Sequence, residues 1–149
     1  MAGEAITQMI FFIGAIIIAV SVIGVVTTNV QSISVSYGMN SKTLADQLKT
    51  DITIINDPAM IPNISNNYSF YVKNTGKSTL DNTTVNMFVD GRYTINLTTI
   101  IMDGGSYWYP TYVLRLNYST TKNPTISSGD HSVRVVAGNG VFDTMAFRT

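Results

Sequence analysis

The sequence predicts an α+β chain: a long N-terminal hydrophobic helix followed by an antiparallel β-sandwich. Three observations carry this. No charged residue occurs between Ala5 and Ser41, and apolar residues then recur at helical spacing as far as Leu48. From Asp51 the chain changes to short segments rich in Ile, Val, Thr, Tyr and Phe, cut by Gly, Asn and Asp, which is the vocabulary of strands and turns. The expected division is 1–50 for the helix and 51–149 for one β-domain, since about a hundred residues suffice for a single small core.

The apolar stretch from Met9 to Val26 is broken only by Gly14, Ser21 and Gly24. At a helical rise of about 1.5 Å per residue it spans about 27 Å, close to the roughly 30 Å of a bilayer's hydrocarbon layer, and is expected to be a membrane anchor. No Lys or Arg precedes it, whereas a cleavable secretory signal opens with a positive segment, so the anchor is expected to be retained. Gly14, Ser21 and Gly24 fall near one helical face that continues to Thr28, and Ala15 and Ala19 form a small-xxx-small pair. Small residues let helices approach closely, although they are also ordinary constituents of membrane helices.

Beyond the anchor, Val26, Val30, Ile33, Tyr37, Leu44 and Leu48 share one narrow face, with Thr, Asn, Gln and Ser at most other positions. The helix is thus predicted to reach about Lys49. Its weak point is Gly38 with Asn40 and Ser41, where the stripe misses a turn and Gly costs about 1 kcal/mol relative to Ala, so a kink or hinge is expected there. The stripe can pack on the chain's own β-domain or on the same helix of neighbouring subunits. Because it continues without charge from a membrane segment, the bundle is the favoured reading. Gly14, Ser21, Gly24, Val26, Val30, Ile33, Tyr37, Leu44 and Leu48 make up the candidate assembly face.

Seven or eight short segments then read as strands: 52–55, 68–73, 85–89, 93–97, 106–109, 112–116, 132–137 and 141–147. Asn74-Thr75-Gly76 ends the second. Asp90-Gly91 lies between 85–89 and 93–97 and supplies the positive backbone angles of a tight hairpin. Gly138-Asn139-Gly140 separates the last two. Even spacing of this kind suggests an antiparallel sandwich. Within Tyr107-Trp108-Tyr109, Trp108 is expected to plug the core while its neighbours point outward. Tyr107, Tyr109 and Tyr112 then form a candidate interaction surface, because exposed tyrosines bring apolar area at low entropic cost.

Nine basic and nine acidic residues give zero net charge, so no broad basic surface is expected to hold nucleic acid and no polybasic cluster follows the anchor. Absence of cysteine removes disulfides, thiolate metal sites and a Cys nucleophile. His131, the single histidine, stands beside Asp130 at an expected turn and reads as a plain surface or strand residue. The aspartates mostly occupy turns, where they bond local backbone. No catalytic, cofactor-binding or metal residues are assigned, and an enzyme is not expected. Asn-x-Ser/Thr triplets at Asn63, Asn67, Asn82, Asn96 and Asn117 suggest a domain outside the cell with glycans on surface loops, though a chain this rich in Asn, Ser and Thr also produces such triplets by chance.

The uncharged helix after Glu4-Ala5-Ile6-Thr7-Gln8-Met9-Ile10, its amphipathic extension, and the segments Tyr71-Val72-Lys73-Asn74-Thr75-Gly76 and Phe88-Val89-Asp90-Gly91 resemble the archaellum accessory family of FlaG. FlaF and the archaellins share this layout. The resemblance implies a type IV pilin-like organisation: an N-terminal helix able to pack in a filament core, and an immunoglobulin-like β-sandwich outside the cytoplasmic membrane. It further implies a short stator filament formed with a FlaF-like protein, with contacts to the S-layer and other motor proteins. Filament-forming relatives carry a basic residue before a Gly cleavage site, whereas Gly3 here follows only Met1 and Ala2, so that processing is not expected. Two other readings remain: a membrane-anchored adhesin or receptor using the anchor as a tether, and an archaellin- or pilin-like filament subunit.

Overall fold

The computed structural model describes residues 2–149, Ala2 by its backbone alone. Residues up to Lys42 form one compact unit and Thr43–Thr149 the other. Helix α1 (Ala2–Lys49) is continuous, and its hydrogen-bonded turns run through Gly38, Asn40 and Ser41 without a break. An 18-residue window has a mean hydropathy of 3.0 with none of it buried, so the helix is long and apolar enough to cross a membrane. The hydroxyls of Ser21, Thr27, Thr28, Ser32 and Ser36 each donate to a carbonyl one turn earlier. Their polarity is thereby satisfied inside the helix, which suits an apolar environment.

Nine strands are described in the second unit: β1 (Ile52–Ile54), β2 (Asn63–Ile64), β3 (Asn67–Asn74), β4 (Asn86–Val89), β5 (Arg92–Tyr93), β6 (Thr98–Ile101), β7 (Val113–Ser119), β8 (Asp130–Val136) and β9 (Phe142–Arg148). They form two antiparallel sheets, one in the order β1-β3-β7-β6 with β2 also on β3, the other β5-β4-β8-β9. Alternation along the strands sends Phe70, Val72, Leu114 and Leu116 from the first sheet and Met87, Val89, Val133, Val135 and Phe147 from the second into one core. The Phe70 and Phe147 rings meet edge-to-face at 5.4 Å across it. This is the expected β-sandwich, with Trp108 fully buried as its plug.

The Asp90-Gly91 hairpin forms as expected: both residues have positive φ (50° and 75°), and Phe88 pairs with Tyr93 and Val89 with Arg92 around them. Two of the expected strands differ. The return strand stops at Tyr93 instead of running through 97, because the chain leaves the second sheet there and enters the first as β6, which the sequence reading did not assign. The crossing is fixed by Asn96 at φ 53° and by Asn123, whose Oδ1 accepts the Ile95 N–H at 2.7 Å and whose Nδ2 donates to the Ile95 carbonyl at 3.1 Å. Segment 106–109 makes only a single bridge, Trp108 to Leu80; its neighbours Gly104 and Gly105 both have positive φ and hold it as a loop.

Candidate functional site

Along α1 the side chains of the apolar stripe have no protein over them. Val26, Val30, Ile33 and Tyr37 are more than half exposed. The last two turns of the helix belong to the same compact unit as the sandwich. There Ala45 and Gln47 are half-buried, whereas Leu44 and Leu48 are 58% and 80% exposed. Within this unit the sandwich thus leaves Leu44 and Leu48 uncovered. At about 100° per residue, Gly14, Ser21 and Gly24 lie roughly half a turn around the helix from Val26, Val30, Ile33 and Tyr37. The candidate assembly residues thus form two faces, one of small residues in the apolar half and one of larger apolar residues beyond it.

The end of α1 is held in the β-domain by the Asn74-Thr75-Gly76 segment. Lys77 N–H donates to the Lys49 carbonyl at 2.7 Å, and the Thr75 and Gly76 N–H groups both reach the Asp51 carbonyl. A Cβ on Gly76 would lie 2.7 Å from Lys49 O and closer still to Asp51 N, so only glycine fits this approach. Asn74, fully buried, organises the segment: its Nδ2 donates to the Ser78 and Trp108 carbonyls at 2.9 and 3.1 Å, and its Oδ1 accepts the Gly76 N–H at 3.1 Å. The 137–141 turn contributes from the other sheet, with Asn139 Nδ2 donating to Thr50 Oγ1 and Gln47 Nε2 donating to the Asn139 carbonyl. Thr50 caps the helix, its N–H on the Gln47 carbonyl and its hydroxyl on that of Asp46.

Tyr107, Tyr109 and Tyr112 come together at this same end of the sandwich. Their rings meet edge-on in sequence at 6.3 and 5.6 Å, with Tyr107 and Tyr109 54% and 43% exposed and Tyr112 packed on the core. The sequons are placed unevenly. Asn63, Asn67 and Asn96 are exposed, whereas Asn82 and Asn117 are half-buried and bonded to Thr99 and Ser69. Asn63, Asn67 and Asn117 stand on strands, not on the expected loops.

His131 is more than a plain strand residue. Its Nδ1 meets Asp90 Oδ2 at 2.7 Å and its Nε2 meets the Ser127 carbonyl at 2.8 Å. Both partners only accept, so the pair of contacts calls for the doubly protonated ring. The Asp90 hydrogen bond accordingly raises the His131 pKa above its ordinary value. Asp90 is partly desolvated, which pushes its pKa up, but the Ser132 N–H and His131 outweigh this and hold it below the usual carboxylate value. The pair ties the β4–β5 hairpin to β8. Nothing in the sequence links residues 41 apart in this way, and no group of three or more His, Cys, Asp or Glu able to hold a metal occurs among the described residues.

An exposed apolar helix followed in the chain by a small sandwich is the arrangement these residues form. The archaeal-type flagellin pattern matches residues 2–147, nearly the whole of that arrangement. The chain belongs to the archaeal-type flagellin family. Within the reach of this family, flagella-related protein G of Methanococcus voltae is 30% identical over 152 residues, covering 97% of this chain and 96% of that protein. The archaeal flagellum of Methanospirillum hungatei strain JF1 shares the fold at a TM-score of 0.60 and 11% identity, over 93% of this chain and 90% of its own. FlaG from Sulfolobus acidocaldarius, described as an archaellum periplasmic stator protein, is matched at 19% identity and a TM-score of 0.47, over 66% of this chain and 99% of that one. As a member of the archaeal-type flagellin family the chain is a structural, FlaG-like archaellum component and not an enzyme.

Proposed function

We propose that the chain is a FlaG-type stator subunit of the archaellum motor, anchored in the cytoplasmic membrane with its sandwich outside the cell. It assembles with further copies of itself through α1 and contacts a FlaF-like protein and the S-layer through its β-domain. The observation that carries this reading is the exposed apolar stripe from Val26 to Leu48 on α1. Exposed apolar surface on this scale needs either lipid or other helices, and the stripe extends well beyond the length of helix a bilayer can cover. Two contact faces on one helix also suit a heterologous, open-ended assembly better than a closed dimer. The hydrogen bonds that hold the last turn of α1 in the sandwich support a mechanical role, because load on that turn would pass into the β-domain. The stator role and the FlaF-like partner rest on the resemblance to the FlaG family that the segments around Asn74 and Asp90 carry.

A second reading, a filament subunit, is favoured by the archaellin-like layout of the whole chain. Swimming separates the two. Cells whose sole copy carries Ile33→Asp should keep the protein in the membrane and still build filaments, yet lose swimming and the large detergent-extracted oligomer. Loss of the filaments themselves would favour the filament subunit, and unchanged swimming with an unchanged oligomer would refute assembly through the stripe.

A further inference from the structure

His131 stands where three parts of the sandwich meet: the start of β8, the β4–β5 hairpin, and residues 124–127 of the segment that leads from β7 to β8. Its two ring nitrogens face two acceptors, Asp90 Oδ2 and the Ser127 carbonyl oxygen, which only the doubly protonated ring satisfies together. The two contacts are unequal. Asp90 is held in place by the Ser132 N–H on its other oxygen at 2.9 Å. A neutral ring with its proton on Nε2 would therefore turn a lone pair towards a fixed carboxylate. With its proton on Nδ1 it keeps the charge-assisted bond and sets its lone pair against an uncharged carbonyl, the smaller repulsion. Loss of one proton thus breaks the contact with Ser127 and leaves the hairpin tied to β8.

Residues 124–127 have little else to hold them. The Tyr118 hydroxyl donates to the Pro124 carbonyl and the Thr149 hydroxyl to the Ser127 carbonyl, each at 2.6 Å. Between these ends no N–H of Thr125, Ile126 or Ser127 has an acceptor among the described residues. Next to them lies a cavity of about 250 Å³ lined by Val89, Arg92, Tyr118 and His131, and Ile126 is buried in the core. We propose that residues 124–127 form a strap, latched by protonated His131 and released when the ring loses its proton, so that Ile126 and the cavity open while the sandwich stays folded. The groups around the ring are Asp90 and Arg92 of the hairpin, Tyr118 of β7, Asp130 of β8, and Phe147 of β9 at 5.6 Å between ring centres, with Arg148 of β9 on Asp130 at 3.5 Å. The strap itself carries no charge. The bond to Asp90 raises the His131 pKa, with the Asp90 and Asp130 charges acting in the same sense, so release comes above the ordinary histidine range. The latch does not depend on the stator reading.

The test uses the full-length chain in detergent. With 15N in the ring of its single histidine, nuclear magnetic resonance should find the neutral form protonated on Nδ1. A neutral ring protonated on Nε2 would overturn the proposal. The chain has no cysteine, so Ile126→Cys supplies the only thiol, and its alkylation rate is divided by that of Lys122→Cys, at an exposed position, to remove the reagent's own pH dependence. From pH 5 to 9 this ratio should rise about three- to tenfold more than it does in chains that also carry His131→Gln, the range set by one lost hydrogen bond. The same thiol at Val133, in the core of β8, should show no such difference. An equal rise with and without His131, or an equal rise at Val133, would overturn the latch.

Discussion

Replacing Asn74 by Ala removes the side chain that fastens the helix seat to the core, and the structure sets the size of the effect. Three hydrogen bonds are lost, each worth about 0.5–1.5 kcal/mol net. The consequences differ among their partners. Gly76 N–H keeps the Asp51 carbonyl and the Trp108 carbonyl keeps the Leu80 N–H, but among the described residues no other bond reaches the Ser78 carbonyl. Ser78 is half-buried, so its unpaired acceptor adds about 1 kcal/mol, the low end for a buried group, and the expected total is about 3 kcal/mol once the two retained partners are discounted. Against a domain stability of about 5–15 kcal/mol this is a large fraction. Trp108, whose Nε1–H donates to the Tyr112 carbonyl beside Asn74, is the only tryptophan and reports unfolding directly. In urea, with the full chain in detergent, the midpoint of Trp108 emission should fall by about 2 M at a slope of about 1.5 kcal/mol/M. Asn74→Asp should be worse than Asn74→Ala, because it turns a donor into a buried charge facing two carbonyls. A loss below about 1 kcal/mol for Ala, or a milder effect for Asp, would refute the assignment of Asn74 as the hub of the seat.

Gly76→Ala should cost about 1–3 kcal/mol in the same experiment, because the new Cβ meets backbone atoms of Lys49 and Asp51 that cannot rotate away. The His131–Asp90 pair predicts a pH dependence with a definite sign. The His131 pKa is raised on folding, so its contribution is complete below about pH 6.5 and is lost as pH rises through the raised value. That of Asp90 is lowered, so its contribution is present above about pH 3.9 and is lost as pH falls. Melting temperatures from pH 5 to 9 should accordingly decline on the alkaline side for the native chain and stay flat there for His131→Gln.

The parts of the fold that were legible in the sequence are those set by local chemistry. Charge-free length gave the helix, and Asp90-Gly91 and Gly138-Asn139-Gly140 gave two turns, with positive φ at Asp90, Gly91 and Gly140. Strand β6 was missed although Thr98-Thr99-Ile100-Ile101 is plain strand vocabulary, because the change of sheet at Asn96 depends on Asn123, a residue distant in sequence. For the same reason Asn74-Thr75-Gly76 read only as a turn. Its work on Lys49 and Asp51 arises from a tertiary approach that leaves no periodic trace. The stripe on α1 was visible as well, but helical periodicity shows which residues share a face and not what covers it.

The most direct measurement of the central claim places a diazirine-bearing residue at position 33 of the full-length chain and irradiates intact cells. The account predicts adducts on the α1 helix of another copy, with little reaction from the same probe at Ser36, which lies off both contact faces of the helix. Adducts formed only with lipid, or with the chain's own β-domain, would contradict it.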